Sequence, residues 1–351
     1  MKEKKKSGSI QALRSIAFFE IFLRHCYVPY FTGAFGVSVF FVLSGFCMEL
    51  SYFRKPVQEI SGRGSLAFAL KKISKIYMLH ILMMLASALL SGFRISWSSL
   101  ILNIFLVQTW VPDGNVYYSL NGVSWYLSAY MFICLAAPLL LHLINKIKNK
   151  RSVYLLMAAT ACVMLLTGLL VSGLCNEDTA KWFTYICPLY RLGDFVLGAC
   201  LAVIYNRRDE KNGSNSKMYT AAEILTILIS AAVMYLHTDV ISNQGLRYTI
   251  LFVPVSLLII YLFAVNKGMI TKLLTNRVLV FIGDISAYTF LIHNIAIRCV
   301  NFALSRFHLQ DMILLKIICA MAITVAAAVA YRKAESLFQK KIKGNPIRTN
   351  T

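Results

Sequence analysis

Val153 to Gly173 reads VYLLMAATACVMLLTGLLVSG, a run of 21 residues without a charge. At about 1.5 Å per residue a helix of this length spans roughly 30 Å, the thickness of a bilayer's hydrocarbon core. A helix that is apolar on every face for that distance belongs in lipid or in the heart of a large protein. This stretch decides the fold class because it recurs. Similar runs fill about residues 10–30, 32–50, 73–92, 124–145, 182–205, 219–236, 248–265, 278–298 and 311–331, which with 153–173 makes ten expected spans. The runs are continuous rather than alternating, which disfavours a transmembrane barrel. The 351 residues are 58% hydrophobic and 15% charged, with mean hydropathy +0.65. A soluble domain would carry about a quarter charged residues. The expected fold is an all-α polytopic bundle seated in the lipid bilayer of the cell membrane.

The net charge of +21 does not point to nucleic acid, because the cations fall in short clusters between the apolar runs. Such clusters encode orientation. The linkers Lys2–Lys6, Arg54–Lys72, Lys146–Arg151, Arg207–Lys217, Lys267–Arg277 and Arg332–Arg348 together hold 26 Lys and Arg. The intervening loops hold four, Arg94, Lys181, Arg247 and Arg306, along with Asp113, Glu177, Asp178, Asp239 and Asp311. Both termini are therefore expected in the cytoplasm. Residues 98–111 (SSLILNIFLVQTWV) are apolar but short, and a full crossing there would put the Lys146–Arg151 cluster outside. A re-entrant or interfacial segment is the better expectation, with Trp97 and Trp110 as headgroup-level anchors; an eleven-span alternative stays open. Residues 1–340 are expected to form one membrane domain, followed by a basic cytoplasmic tail over 341–351. The nine cysteines lie mostly inside apolar runs and read as small buried hydrophobes; only Cys175 falls near an outer loop. The basic start imitates a secretory signal, but Arg14, Glu20, Arg24 and His25 interrupt its apolar region, so an uncleaved first helix is expected.

Those interruptions carry the functional question, since an ionisable residue within a span is a functional-site hypothesis by default. Arg14 and His25 are eleven residues apart. Eleven helical steps make about 1100°, roughly 20° past three turns, so both lie on one face, about 16 Å apart along the axis. Plainer readings exist: Arg14 as a snorkelling end residue, and His25 as a packing residue bonded to a neighbouring helix. With the charge-derived orientation, Arg14 falls near the cytoplasmic side and His25 near the outer side. His293, in GDISAYTFLIHN (residues 283–294), falls at a similar depth, with Asp284 and Ser286 at the opposite end of that segment. Arg191 and Asp194, three apart, form either a self-neutralising pair or an anion site. Gly36, Ser44 and Gly45 are small enough to let helix backbones approach closely. His80, His142, His237 and His308 read as packing residues. No P-loop, HExxH, zinc spacing or nucleophile elbow is present, so no metal or bound cofactor is expected.

The motifs resemble, in order, those of the acyltransferase-3 family of integral membrane acyltransferases. Arg14 with His25, then GVSVFFVLSGF (residues 36–46), resembles the family's opening signature. FALKKISKIY (residues 68–77) resembles its basic segment, with Lys72 and Lys75 where arginine is common. Trp125-Tyr-Leu-Ser resembles its tryptophan motif, and Arg191-Leu-Gly-Asp-Phe195 with Gly198 its R-x-x-E/D-F-x-x-G element. Gly283 to His293 resembles the late G-x-I-S-Y-x-x-Y-L-x-H element, and Glu335 the glutamate after the last span. The likeness runs over about residues 10 to 340. Departures are Ala129-Tyr130-Met131 where an acidic residue is frequent, Met78 in place of proline, and Ser336 after Glu335.

The resemblance implies a ten-span bundle and an O-acyltransferase. Its donor is acetyl-CoA or another acyl-CoA, used as co-substrate, and its acceptor a hydroxyl of an extracytoplasmic glycan or lipid-linked saccharide. Arg14, helped by Lys72, Lys75 and Arg191, would hold CoA phosphates at the inner mouth. His25 would act as general base or as transient acyl carrier. Asp194, Trp125, Ser286 and His293 would stand behind them. Some members carry an extracellular hydrolase-like domain; none is expected here, so transfer is expected to finish within the bundle or with a partner. A transporter or flippase for a polar or lipid-linked substrate is the alternative from another class, and a membrane scaffold without chemistry a third.

Overall fold

The computed structural model describes residues 8–56, 60–208, 216–309 and 311–344. The Lys2–Lys6 cluster, most of the Arg207–Lys217 linker and the end of the basic tail lie outside the described residues. The architecture is all-α. Twelve helices of eight or more residues are described: α1 (Gly8–His25), α2 (Ala34–Arg54), α3 (Gly62–Leu90), α4 (Trp97–Ile104), α5 (Trp125–Lys146), α6 (Lys150–Leu174), α7 (Pro188–Asn206), α8 (Ser216–Tyr235), α9 (Val253–Val265), α10 (Arg277–Asp284), α11 (Ser286–Arg306) and α12 (Ile313–Gly344). Among the described residues, eight helices are long and apolar enough to cross a membrane. The chain is a multi-pass helical bundle.

Two other expected spans are shorter than anticipated, each for a local reason. The run 10–30 ends as a helix at His25, because Tyr27 and Tyr30 adopt positive φ angles of 64° and 66° and turn the chain. The run 248–265 is helical only from Val253, where Pro254 fills a first-turn position that needs no backbone donor. The ninth run, 278–298, is two helices: α10 stops at Asp284, Ile285 takes φ −102° and ψ 6°, and α11 restarts at Ser286. Residues 98–111 form α4 and a single 3-10 turn over Gln108–Trp110. An eight-residue helix reaches only about 12 Å, so this segment does not span. It is held by buried Asn103, whose side chain donates to Ser99 O at 2.9 Å and to Ser119 Oγ at 2.8 Å and accepts from Ser124 Oγ at 3.2 Å. Trp97 is 78% exposed at its start.

The outside of the bundle is apolar, unlike that of a soluble protein, while its mostly hydrophobic interior also holds ionisable side chains. On α6, Leu155, Leu166 and Leu170 are exposed, while Arg191, Asp194, His293 and Glu49 are fully buried. At the centre, α2 and α7 cross backbone to backbone. A Cβ on Gly45 would sit 2.0 Å from Phe195 O, and one on Gly198 would sit 1.9 Å from Val42 O. α1 packs as closely against α10, where a Cβ on Gly283 would meet Gln11 O at 1.9 Å and Ser15 Oγ donates to Leu279 O. These crossings place α1 in the interior with its two singled-out residues facing inward space.

Candidate active site

Two cavities border α1. One, of about 540 Å³, is lined by Arg14, Lys72, Lys75, Arg332, Asp284, Ser286, Tyr126 and Tyr288. The other, of about 430 Å³, is lined by His25, Arg24, Trp125, Tyr185 and Asn294 among others. Phe290 lines both. Its ring meets those of Phe40 at 6.1 Å and Tyr126 at 5.2 Å in edge-on geometry, so an aromatic partition separates the two spaces.

His25 and His293 come together at that partition. His25 Nδ1 and His293 Nε2 are 2.8 Å apart, and His293 Nδ1 lies 2.6 Å from Phe290 O. A carbonyl can only accept, so His293 Nδ1 carries its proton. The neutral ring then offers Nε2 as acceptor, and His25 Nδ1 donates to it. This leaves His25 Nε2 with a free lone pair on the ring that lines the smaller cavity. His293 itself is fully buried, wedged by the rings of Phe18 at 5.7 Å and Phe22 at 6.2 Å. The pair therefore has one orientation, with His25 at the end of α1 and His293 on α11.

The larger cavity is basic. Arg14 makes only long contacts, Nη1 to Gln11 Oε1 at 3.5 Å and Nη2 to Cys47 Sγ at 3.8 Å, so no carboxylate neutralises it. Lys72 is half-buried, with Nζ 5.2 Å from the Phe68 ring, while Lys75 and Arg332 are exposed. Tyr288 Oη donates to Glu335 Oε2 at 2.6 Å, which ties α11 to α12 at the same cavity. Guanidinium and ammonium groups in this arrangement suit a polyphosphate.

Arg191 and Asp194 stand apart from both cavities. They form a fully buried ion pair at 2.8 Å, with Arg191 Nε donating to Tyr185 O at 2.7 Å and its guanidinium over the rings of Phe41 and Tyr185. Of the two readings open in the sequence, the geometry is that of the self-neutralising pair. Trp125 packs 5.0 Å from Tyr185 at the wall of the His25 cavity, and Ser286 opens α11 beside Arg14's cavity.

Sequence reasoning passed over several residues. Glu20 registered only as an interruption, yet it is a buried anchor. Its Oε1 accepts from Thr32 N at 2.9 Å, Gly33 N at 2.8 Å and Thr32 Oγ1 at 3.0 Å, and its Oε2 from Gly36 N at 2.9 Å. A carboxylate thus caps the N-terminus of α2 and fixes the last turn of α1, where Arg24 and His25 sit. Its partners are mostly backbone N–H groups, which leave no mark in sequence. Arg332 was readable only as part of a basic linker, and Phe290 only as one more apolar residue.

Comparison with known proteins decides the class. The acyltransferase domain model of the acyltransferase-3 family matches residues 7–333. The chain belongs to that family. It is a membrane-bound O-acyltransferase. Acyltransferase MdmB of Streptomyces mycarofaciens is 28% identical over 285 residues, covering 76% of this chain and 68% of that protein. No solved structure matches.

Proposed function

We propose that this acyltransferase moves an acetyl group from cytosolic acetyl-CoA to a hydroxyl of an extracytoplasmic or lipid-linked glycan, across the partition between its two cavities. The observation that carries the reading is the juxtaposition at Phe290: a basic cavity on one side, and a histidine with a free Nε2 on the other. Arg14, Lys72, Lys75 and Arg332 hold the donor's phosphates. The thioester then reaches toward His25 along α1, and an extended pantetheine arm of about 15–20 Å matches the roughly 16 Å between Arg14 and His25.

His25 Nε2 takes the proton of the acceptor hydroxyl as its oxygen attacks the thioester carbonyl. The new C–O ester bond forms, the C–S bond breaks with its electron pair on sulfur, and the thiolate recovers the proton from the imidazolium. While His25 is charged, His293 Nε2 accepts from its Nδ1–H, and Phe290 O keeps His293 in the tautomer that can do so. The basic linkers support cytoplasmic termini for this direction of transfer.

The reading is tested by mass spectrometry of surface glycans from cells with and without the protein. The expected difference is the loss, in cells without the protein, of one acetyl group in place of one hydrogen on each acylated residue. Identical spectra under both conditions would overturn the glycan acceptor.

A further inference from the structure

The His25 cavity carries more positive charge than a histidine base requires. Arg24 of α1, Lys181 of the short helix Glu177–Lys181, Arg247 of the turn Gln244–Arg247 and Arg298 of α11 all line it. No carboxylate lines it; Glu177 and Asp178 share the helix of Lys181 but not the cavity. Among the described residues the one ion pair is Arg191 with Asp194, so none of the four cations has an acid within salt-bridge reach. Two of them are fixed by neutral acceptors. Arg298 Nη1 donates to Ser87 Oγ at 2.6 Å, and Arg247 Nε donates to His237 O at 2.9 Å. These bonds orient each guanidinium and leave its charge uncancelled. Four cations from four separate elements line one concavity, and a cleft lined by one sign of charge focuses a positive potential that draws an anion into it.

We propose that this cavity binds a phosphate or diphosphate group of the acceptor, seated among Arg24, Lys181, Arg247 and Arg298, so that the neighbouring sugar hydroxyl lies at His25. The proposal rests on the acyl-transfer reading above and names its acceptor class. A single carboxylate would leave most of the positive charge unmatched, whereas a diphosphate ester brings two or more negative charges to about four positive ones. The same chemistry comes from a lipid diphosphate-linked saccharide or from a soluble nucleotide sugar. CoA also carries phosphates, and the cavity of Arg14, Lys72 and Lys75 is the one assigned to it.

The full-length protein in detergent, titrated separately with inorganic pyrophosphate and with coenzyme A, tests this. Wild type is expected to bind both. The double variant Arg24→Gln/Arg298→Gln should lose at least ten-fold in pyrophosphate affinity and keep its coenzyme A affinity within two-fold. Lys181→Gln, a change on a surface helix that leaves the bundle core untouched, should shift pyrophosphate alone by about three-fold. Lys72→Gln/Lys75→Gln should give the opposite pattern. Pyrophosphate binding that is absent in wild type, or unchanged in the Arg24 and Lys181 variants, overturns the proposal while coenzyme A binding still supports the acyl-transfer reading. Coenzyme A affinity that falls with Arg24 and Arg298 overturns both cavity assignments. Competition by geranylgeranyl diphosphate stronger than by UDP identifies the lipid-linked source, and the reverse identifies the nucleotide; either supports the phosphate site.

Discussion

At the scale of single residues, charge and proton placement decide what each cavity can do. Arg14 has no acidic partner and only 3.5 Å and 3.8 Å contacts, so its charge is available to a ligand. Arg14→Ala should raise the KM for acetyl-CoA about ten-fold or more, the worth of one charge-assisted contact, with a smaller change in kcat. Steady-state kinetics over a range of acetyl-CoA concentrations measures it, and an unaltered KM would remove the phosphate role. His293 makes no contact with either cavity and acts through His25. His293→Phe keeps the ring volume and deletes the acceptor, so kcat should fall about ten- to a hundred-fold while the KM for acetyl-CoA holds. His293→Gln, whose amide oxygen can still accept, should restore part of that loss; a purely packing residue would be rescued better by Phe. The spacing of Arg14 and His25 was legible because helical geometry is strictly periodic. The contact of His25 with His293 was not, because 268 residues separate them and no periodicity relates two different helices.

At the scale of elements, backbone proximity explains why small residues sit where they do. Gly45 was readable as a small packing residue and Gly198 only as part of a family motif, but that both lie at the crossing of α2 and α7 was not legible. Gly45→Ala puts a methyl within 2.0 Å of Phe195 O and must push two helices apart. It should destabilise the bundle by about 1–3 kcal/mol, as overpacking does, read as a lower unfolding temperature in detergent. An unchanged transition would mean the crossing is looser than described. The apolar runs predicted where helices lie, yet not where they break. Tyr27 and Tyr30 end α1 with positive φ, and Ile285 splits the ninth run without a proline or glycine at the break itself. Those interruptions are set by what packs around them: Glu20 gripping the α2 N-terminus, and Gly283 pressed on Gln11. Glu20→Gln keeps the shape and removes the charge. It should weaken that cap and lower activity through a misplaced His25, with protein yield from membranes reporting stability separately.

At the scale of the whole molecule, continuous hydrophobicity and clustered cations made the membrane bundle legible before any helix was placed. The orientation they predict has its own check. Cys175 is exposed at the end of α6, and charge counting puts it outside. A membrane-impermeant maleimide added to intact cells should label the protein, and Cys175→Ser should abolish that label; labelling only after the cells are opened would invert the topology. What composition could not reveal is that one buried ring, Phe290, borders both cavities. Acyl transfer past His25 is measured in membranes supplied with radiolabelled acetyl-CoA, with label followed into extracted glycan. Wild-type membranes should transfer the label, and His25→Ala membranes holding the same amount of folded protein should lose about a hundred-fold or more of that transfer. Equal incorporation by the two would contradict the proposed passage of the acyl group past His25.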